Sequence, residues 1–412
     1  MALKTINGIA VASIKTVHGV AAASVKTWGG ETWTHGPQLA LWMWGRGYAG
    51  GLGLGNTTNY SSPKQVGALT TWATISVGYD FWSLAVKTDG TLWAWGKNSP
   101  NYGVLGLGNL TNYSSPKQVG ALTNWSKVFT SHGQWGSFAV KTDGTLWAWG
   151  RGITYGILGL GNLTNYSSPV QVGALTNWSS LSCTNGVVAV KTDGTLWSWG
   201  RGNYGQTGHG NSTNYSSPVQ VGALTNWSKA AIGRVGHSVA VKTDGTLWSW
   251  GLNKSYDSGT YTWTRPGGQL GLGNTTNYSS PKQVGALTNW SSISVGKGTG
   301  SGYDSGFSLA ARTDGTLWAW GNTTSGGMGL GATEKCSSPT QVGALTNWSE
   351  VSSRSKATMS LKTDGTIWSW GQNGFGQLGI GNTTTYSSPK QVGALTTWVS
   401  VCAGYTVSAG LK

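Results

Sequence analysis

The sequence predicts an all-β protein: a closed seven-bladed β-propeller of four-stranded antiparallel blades, preceded by a short N-terminal extension. Three observations carry this. The tetrapeptide W-x-W-G starts at Trp42, Trp93, Trp147, Trp197, Trp248, Trp318 and Trp368, at intervals of 51, 54, 50, 51, 70 and 50 residues, and self-similarity at such a period marks a propeller or solenoid. S-S-P and Q-V-G-A-L-T each recur seven times. T-D-G-T-[LI]-W recurs only six times, and the missing copy falls where the two chain ends would meet.

Residues 1–34 read as a separate module, because an 11-residue pattern starts at Lys4, Lys15 and Lys26; its glycines and β-branched residues favour strands and turns. Residues 35–412 are the propeller. In the second unit 74–77, 83–87, 91–95 and 117–119 read as strands, with Thr88-Asp89-Gly90 as a hairpin turn. Insertions near 254–267 and 297–306 account for the long fifth interval. The last segment, 407–412, has no hairpin partner of its own and is expected to pair antiparallel with 38–44. That pairing joins both termini in one blade and removes the sheet edges of an open array.

Composition narrows the function. The 412 residues include 67 Gly and 26 Trp, only 9% are charged, and the net charge is +15, which favours anionic partners such as nucleic acid, anionic glycans or phosphorylated polymers. No apolar run is long enough for a membrane span, and polar residues interrupt every candidate export signal at the N-terminus. Cys183, Cys336 and Cys402 are odd in number and lack C-x-x-C spacing, so neither a disulfide framework nor a thiolate metal site is expected. The five His form no H-E-x-x-H pattern, no phosphate or dinucleotide fingerprint is present, and turn chemistry explains the six repeated Asp. The expectation is a non-enzymatic protein without metal or cofactor.

Variation among the units falls in two windows. The first lies between the first and second strands (78–82, 130–136, 184–187, 233–237, 296–307, 353–358, 404–405) and the second follows W-x-W-G (46–51, 97–105, 151–158, 201–207, 252–269, 322–328, 372–377). In an up-and-down blade both loops emerge opposite the T-D-G turns, so the windows should share one face. Most Trp belong to the repeated framework, but the windows collect Tyr, Trp and ten basic against three acidic residues among Gly, Ser and Asn, the mixture of an adaptable binding surface. The candidate ligand-binding residues are Arg46, Lys97, Arg151 and Arg201, which directly follow W-x-W-G; Tyr48, Tyr102, Tyr155 and Tyr204 beside them; and Tyr79, Trp82, Trp135 and Trp263. Aromatic planes suit sugar rings, and guanidinium groups suit carboxylates or phosphates.

At Gly236-His237-Ser238, Asp244-Gly245, Trp248 to Gly251, Gly376-Gln377-Leu378-Gly379 and Pro389 the sequence resembles the regulator of chromosome condensation repeat family. The resemblance covers residues 35–412 and implies the seven-bladed propeller. It implies a binding role of several possible kinds, since the family includes a chromatin-bound exchange factor, a plant ultraviolet receptor, bacterial enzyme inhibitors and virion proteins. The receptor's Trp-Arg-His-Thr pattern is absent. The functional expectation is a virion-associated binding protein, of a phage tail or capsid fibre, that recognises an anionic host-surface glycan and contacts neighbouring virion subunits, or a second copy, through residues 1–34. The alternative is a cytoplasmic interaction or exchange-factor propeller bound to protein or nucleic acid.

Overall fold

The computed structural model describes residues 39–412, apart from 80, 99–101, 134–135, 258–261, 301–302, 324 and 332–334. Before Leu39 it describes only the backbone of three hairpins of two-residue strands, from Thr5–Ile6 to Glu31–Thr32. Side chains before Leu39, and those of 256–266, 298–300 and 303–305, lie outside the description. The chain entering the first repeat comes from the T-D-G side, so residues 1–34 are expected beneath the propeller; that expectation lies outside the described residues.

Seven four-stranded antiparallel sheets are arranged as blades. The first consists of Trp72–Val77, Trp82–Lys87, Leu92–Gly96 and Tyr113–Gln118, in that order across the sheet. Blades two to six repeat this order, with first strands Trp125–Thr130, Trp178–Cys183, Trp227–Ile232, Trp290–Gly300 and Trp348–Ser353. The seventh is built from both ends of the chain: Ser400–Ala403, Val407–Leu411, Leu41–Gly45 and Tyr60–Gln65. Val407 pairs with Gly45 and Leu411 with Leu41, and the Ala40 N–H donates to the Lys412 carbonyl at 2.7 Å. The ring closes through terminal strand pairing as the repeat count predicts.

First strands line the axis. A cavity of about 300 Å³ is bounded by residues from the first strands of all seven blades, among them Ile75, Val128, Leu181, Ile293, Val351 and Val401. The outer strand differs from the sequence expectation: it starts at Tyr113 and so contains S-S-P. Proline is tolerated there because an outermost strand need not donate every N–H to a ladder.

Neighbouring blades interlock through one repeated device. The second Trp of each W-x-W-G is fully buried, and its indole N–H donates to a loop carbonyl of the preceding blade, as from Trp95 to Gly51 (3.2 Å), Trp149 to Val104 (2.9 Å) and Trp199 to Ile157 (2.8 Å). The following glycine of the loop must lie flat on that indole: a Cβ on Gly106 would sit 2.8 Å from Trp149 Nε1, at φ +73°. Two residues later the Gly108 N–H donates to the Ser167 carbonyl in the outer strand of the next blade. Equivalent backbone bonds run from Gly55, Gly161, Gly210, Gly273, Gly331 and Gly381, which is why G-x-G and S-S-P recur together.

Candidate ligand-binding face

Both variable windows lie on one side. The residue after each W-x-W-G donates its backbone N–H to the first-to-second-strand loop of the same blade, from Arg46 to Thr406, Lys97 to Phe81, Arg201 to Asn185, Leu252 to Gly236 and Gln372 to Lys356. The insertions rise from this face. Lys254–Asp257 pairs with Thr262–Pro266 as an added hairpin, and the first two strands of blade five extend as Trp290–Gly300 and Tyr303–Arg312. The added hairpin is tied to the loop after the third strand of blade five, where the Asn322 amide donates to Ser255 Oγ at 3.2 Å.

The rim cations are held by aromatic rings, largely from the preceding blade. The Arg151 guanidinium lies 4.9 Å from the Tyr102 ring centre, and that of Arg201 lies 5.3 Å from Tyr155 and 4.9 Å from Tyr204. Arg201 also donates to the Tyr204 hydroxyl at 3.3 Å. Arg46 sits among Tyr48 (5.4 Å), Phe81 (5.0 Å) and Phe375 (4.5 Å). These pairs fasten blade to blade while keeping a charge at the rim. Lys97 is half-buried, and Tyr48 is exposed. Trp82 belongs to the core: it is 1% exposed, its indole donates to Ser137 Oγ at 3.2 Å, and it packs between blades one and two. Its place at the start of a paired strand, opposite Gly96, turns it inward, so it offers no face to a ligand. Trp135 and the side chain of Trp263 lie outside the described residues.

A second group of upper-face residues, of which only Tyr79 is among the sequence candidates, converges on the axis. Arg354 of blade six reaches across to blades one and two: its Nη1 donates to His132 Nε2 at 2.8 Å, to the Thr130 carbonyl at 3.4 Å and to Ser76 Oγ at 3.5 Å. His132 is buried, and burial together with the Arg354 and Arg234 charges holds its pKa well below 6.5. It is therefore neutral and accepts from Arg354 at Nε2. Arg234 of blade four lies 4.2 Å from the Tyr79 ring centre, and Tyr79 stacks on Tyr405 of blade seven at 4.6 Å. Burial and the Tyr79 neighbour push the Tyr405 phenol up. His132, Arg234 and Arg354 all line the axial cavity. Nearer the opposite mouth stands Glu350, whose carboxyl burial pushes up to about 7 against the pull of Lys229. Among the described residues no group of three or more His, Cys, Asp or Glu could hold a metal ion.

Comparison with known families matches the Regulator of chromosome condensation (RCC1) repeat at 40–84, 89–140, 143–190, 193–241, 314–361 and 364–411. The chain belongs to this repeat family. The unmatched stretch, 242–313, contains both insertions. The chain is 30% identical over 314 residues to the Ultraviolet-B receptor UVR8 of Arabidopsis thaliana, covering 75% of this chain and 66% of the receptor. It is also 30% identical to the E3 ubiquitin-protein ligase HERC2 of Homo sapiens over 149 residues, which are 35% of this chain and 3% of that protein. Among solved structures, yeast RCC1 (Prp20) bound to Kap60 superposes with a TM-score of 0.73 at 19% identity, covering 94% of this chain and 95% of that one. Human WBSCR16 superposes at 0.72 with 17% identity, covering 90% and 98%. These two likenesses show the fold.

Proposed function

We propose that this is a non-enzymatic, virion-associated binding propeller whose upper face recognises an anionic host-surface glycan. The observation that supports it is the convergence of Arg234, Arg354, His132, Tyr79 and Tyr405 from five blades on one mouth, surrounded by the Arg–aromatic pairs of the rim. Aromatic surface beside fixed positive charge suits sugars that carry carboxylate, sulfate or phosphate. The Ser198–His209 contact of 2.8 Å offers no catalytic alternative: Ser198 is fully buried, and its hydroxyl donates to the Thr207 carbonyl.

The test is binding of the full chain to host envelope polysaccharide and to duplex DNA at two salt concentrations. The proposal expects polysaccharide binding that survives the higher salt, whereas sequence-independent DNA binding falls steeply with salt. A second reading, a protein-binding propeller of the cell interior, is favoured by the solved structures of yeast Prp20, one bound to Kap60 and one described with its binding to Gsp1p and histones. DNA or protein capture without polysaccharide binding would select it.

A further inference from the structure

We propose that the axial cavity is a binding site for one acidic sugar unit, its oxyanion clamped between Arg354 and Arg234 and its ring set against the first-strand side chains below them. This rests on the reading of the upper face as a glycan-binding surface, and it moves the decisive contacts from the rim to the axis.

The chemistry follows from how each cation is held. All three partners of Arg354 are met by Nη1. A guanidinium binds an oxyanion bidentately along one edge of its fork, and with Nη1 committed, the edge formed by Nε and Nη2 is the one outside these contacts. The neutral His132 fixes that orientation: a second cation at 2.8 Å would repel Arg354, whereas an imidazole accepting at Nε2 anchors it. Arg234 rests 4.2 Å from the Tyr79 ring centre, a contact that gives the guanidinium no acceptor oxygen, so its donors can take a ligand's. The rim arginines are used differently. Arg46 is boxed by three rings and Arg201 by two, with a further bond to the Tyr204 hydroxyl; they attract anions at a distance and hold blades together.

Size and polarity limit the occupant. About 300 Å³ lies at the lower end for small-molecule pockets, enough for a single monosaccharide. The walls below the arginines mix apolar side chains such as Ile75, Val128 and Leu181 with Ser294, Ser352 and Ser400, and suit the C–H faces and the hydroxyls of a pyranose. Glu350 stands toward the far end, so the negative end of the unit is held at the arginine mouth. The shared chemistry is an oxyanion on a sugar, supplied by a uronic acid or by a phosphate or sulfate ester.

The test is calorimetric titration of the full chain with sodium glucuronate, glucose 6-phosphate, inorganic phosphate and glucose. The proposal expects glucuronate or glucose 6-phosphate to bind, whichever is the tighter naming the source of the oxyanion, and glucose not to bind. Arg354→Gln and Arg234→Gln should each weaken that binding by about ten-fold or more, the worth of a charge-assisted pair, and Lys390→Gln, at an exposed position of an outer strand, should change it less than about two-fold. Arg234→Gln, whose residue holds no cross-axis bond, decides the matter if Arg354→Gln fails to fold. Equal affinity for glucose, unchanged affinity in Arg234→Gln, or inorganic phosphate binding as tightly as both sugars overturns the inference. Polysaccharide that binds wild type and Arg234→Gln alike overturns the axial site and leaves the upper-face reading standing; wild type binding neither polysaccharide nor monosaccharide overturns both.

Discussion

Arg354 and His132, 222 residues apart in sequence, meet across the propeller axis through a 2.8 Å hydrogen bond from Nη1 to Nε2. The bond joins blade six to blade two and puts a fixed positive charge over the axial cavity. It also requires a neutral imidazole, which ties stability to pH. As pH falls through 6.5 the unfolded chain protonates its histidines, while the fold keeps His132 neutral to well below that value and buried His237 to about 4. The unfolded state then holds more protons, and stability falls with falling pH. Denaturant titrations at pH 6.5 and 4.5 should show this loss, of about 3 kcal/mol from His237 alone if complete. His237→Gln should reduce it; an unchanged slope would show that His237 is solvated.

Glu350 works in the opposite direction. Its carboxyl titrates at about 7 in the fold against an ordinary 4.5, so the folded state holds the extra proton between those values and stability is lost as pH rises through that window. Glu350→Gln should therefore stabilise the protein at pH 8, by up to about 3 kcal/mol, and have little effect at pH 4. Equal melting temperatures for Glu350→Gln and wild type at pH 8 would contradict the assignment.

Closure gives the sharpest stability prediction. Removing residues 406–412 deletes the strand between Ser400–Ala403 and Leu41–Gly45, exposing the buried Trp44 and Leu41 of the adjoining strand. Thermal melts should show loss of the cooperative transition. A truncated chain that melts like the full one would mean the ring does not depend on terminal pairing.

The Trp–Gly clasp is tested at Gly106. A Cβ there would press on the buried Trp149 indole and force a side chain to φ +73°, at a cost of about 2–4 kcal/mol from crowding and backbone strain together. Gly120, where a Cβ would meet nothing within 4 Å at φ +62°, provides the control: Gly120→Ala should pay only for the backbone, about 1–2 kcal/mol. Equal losses in the two variants would remove the indole from the explanation.

The rim pairs carry a stability cost that residue spacing does not reveal. Because Arg151 and Arg201 pack on Tyr102 and Tyr155 of the preceding blade, Arg151→Ala with Arg201→Ala should cost about 1–2 kcal/mol in a denaturant titration. A melt identical to wild type would return these residues to the surface.

Much of the architecture is legible in the sequence because each blade repeats the same constraints. A missing T-D-G turn locates the closing blade, and the up-and-down order puts both windows on one face. What a single unit cannot show is what touches it from the next. Tyr102 lies in the second window of one blade and Arg151 in that of the next, so their contact exists only once neighbouring blades pack. The inward turn of Trp82 is set by its pairing with Gly96, although the equivalent positions are Gly136, His237 and Phe307 and look like free variation. Arg234, Arg354, His132 and Tyr405 were visible as window residues, but their convergence depends on the first strand being the innermost, which strand spacing leaves open.

Hydrogen–deuterium exchange of the full chain with and without purified anionic host polysaccharide tests the central claim most directly. The account predicts protection confined to the upper loops around Tyr79, His132, Arg234, Arg354 and Tyr405, with the T-D-G turns on the opposite face unchanged. Protection centred on those turns, or none at saturating polysaccharide, would contradict it.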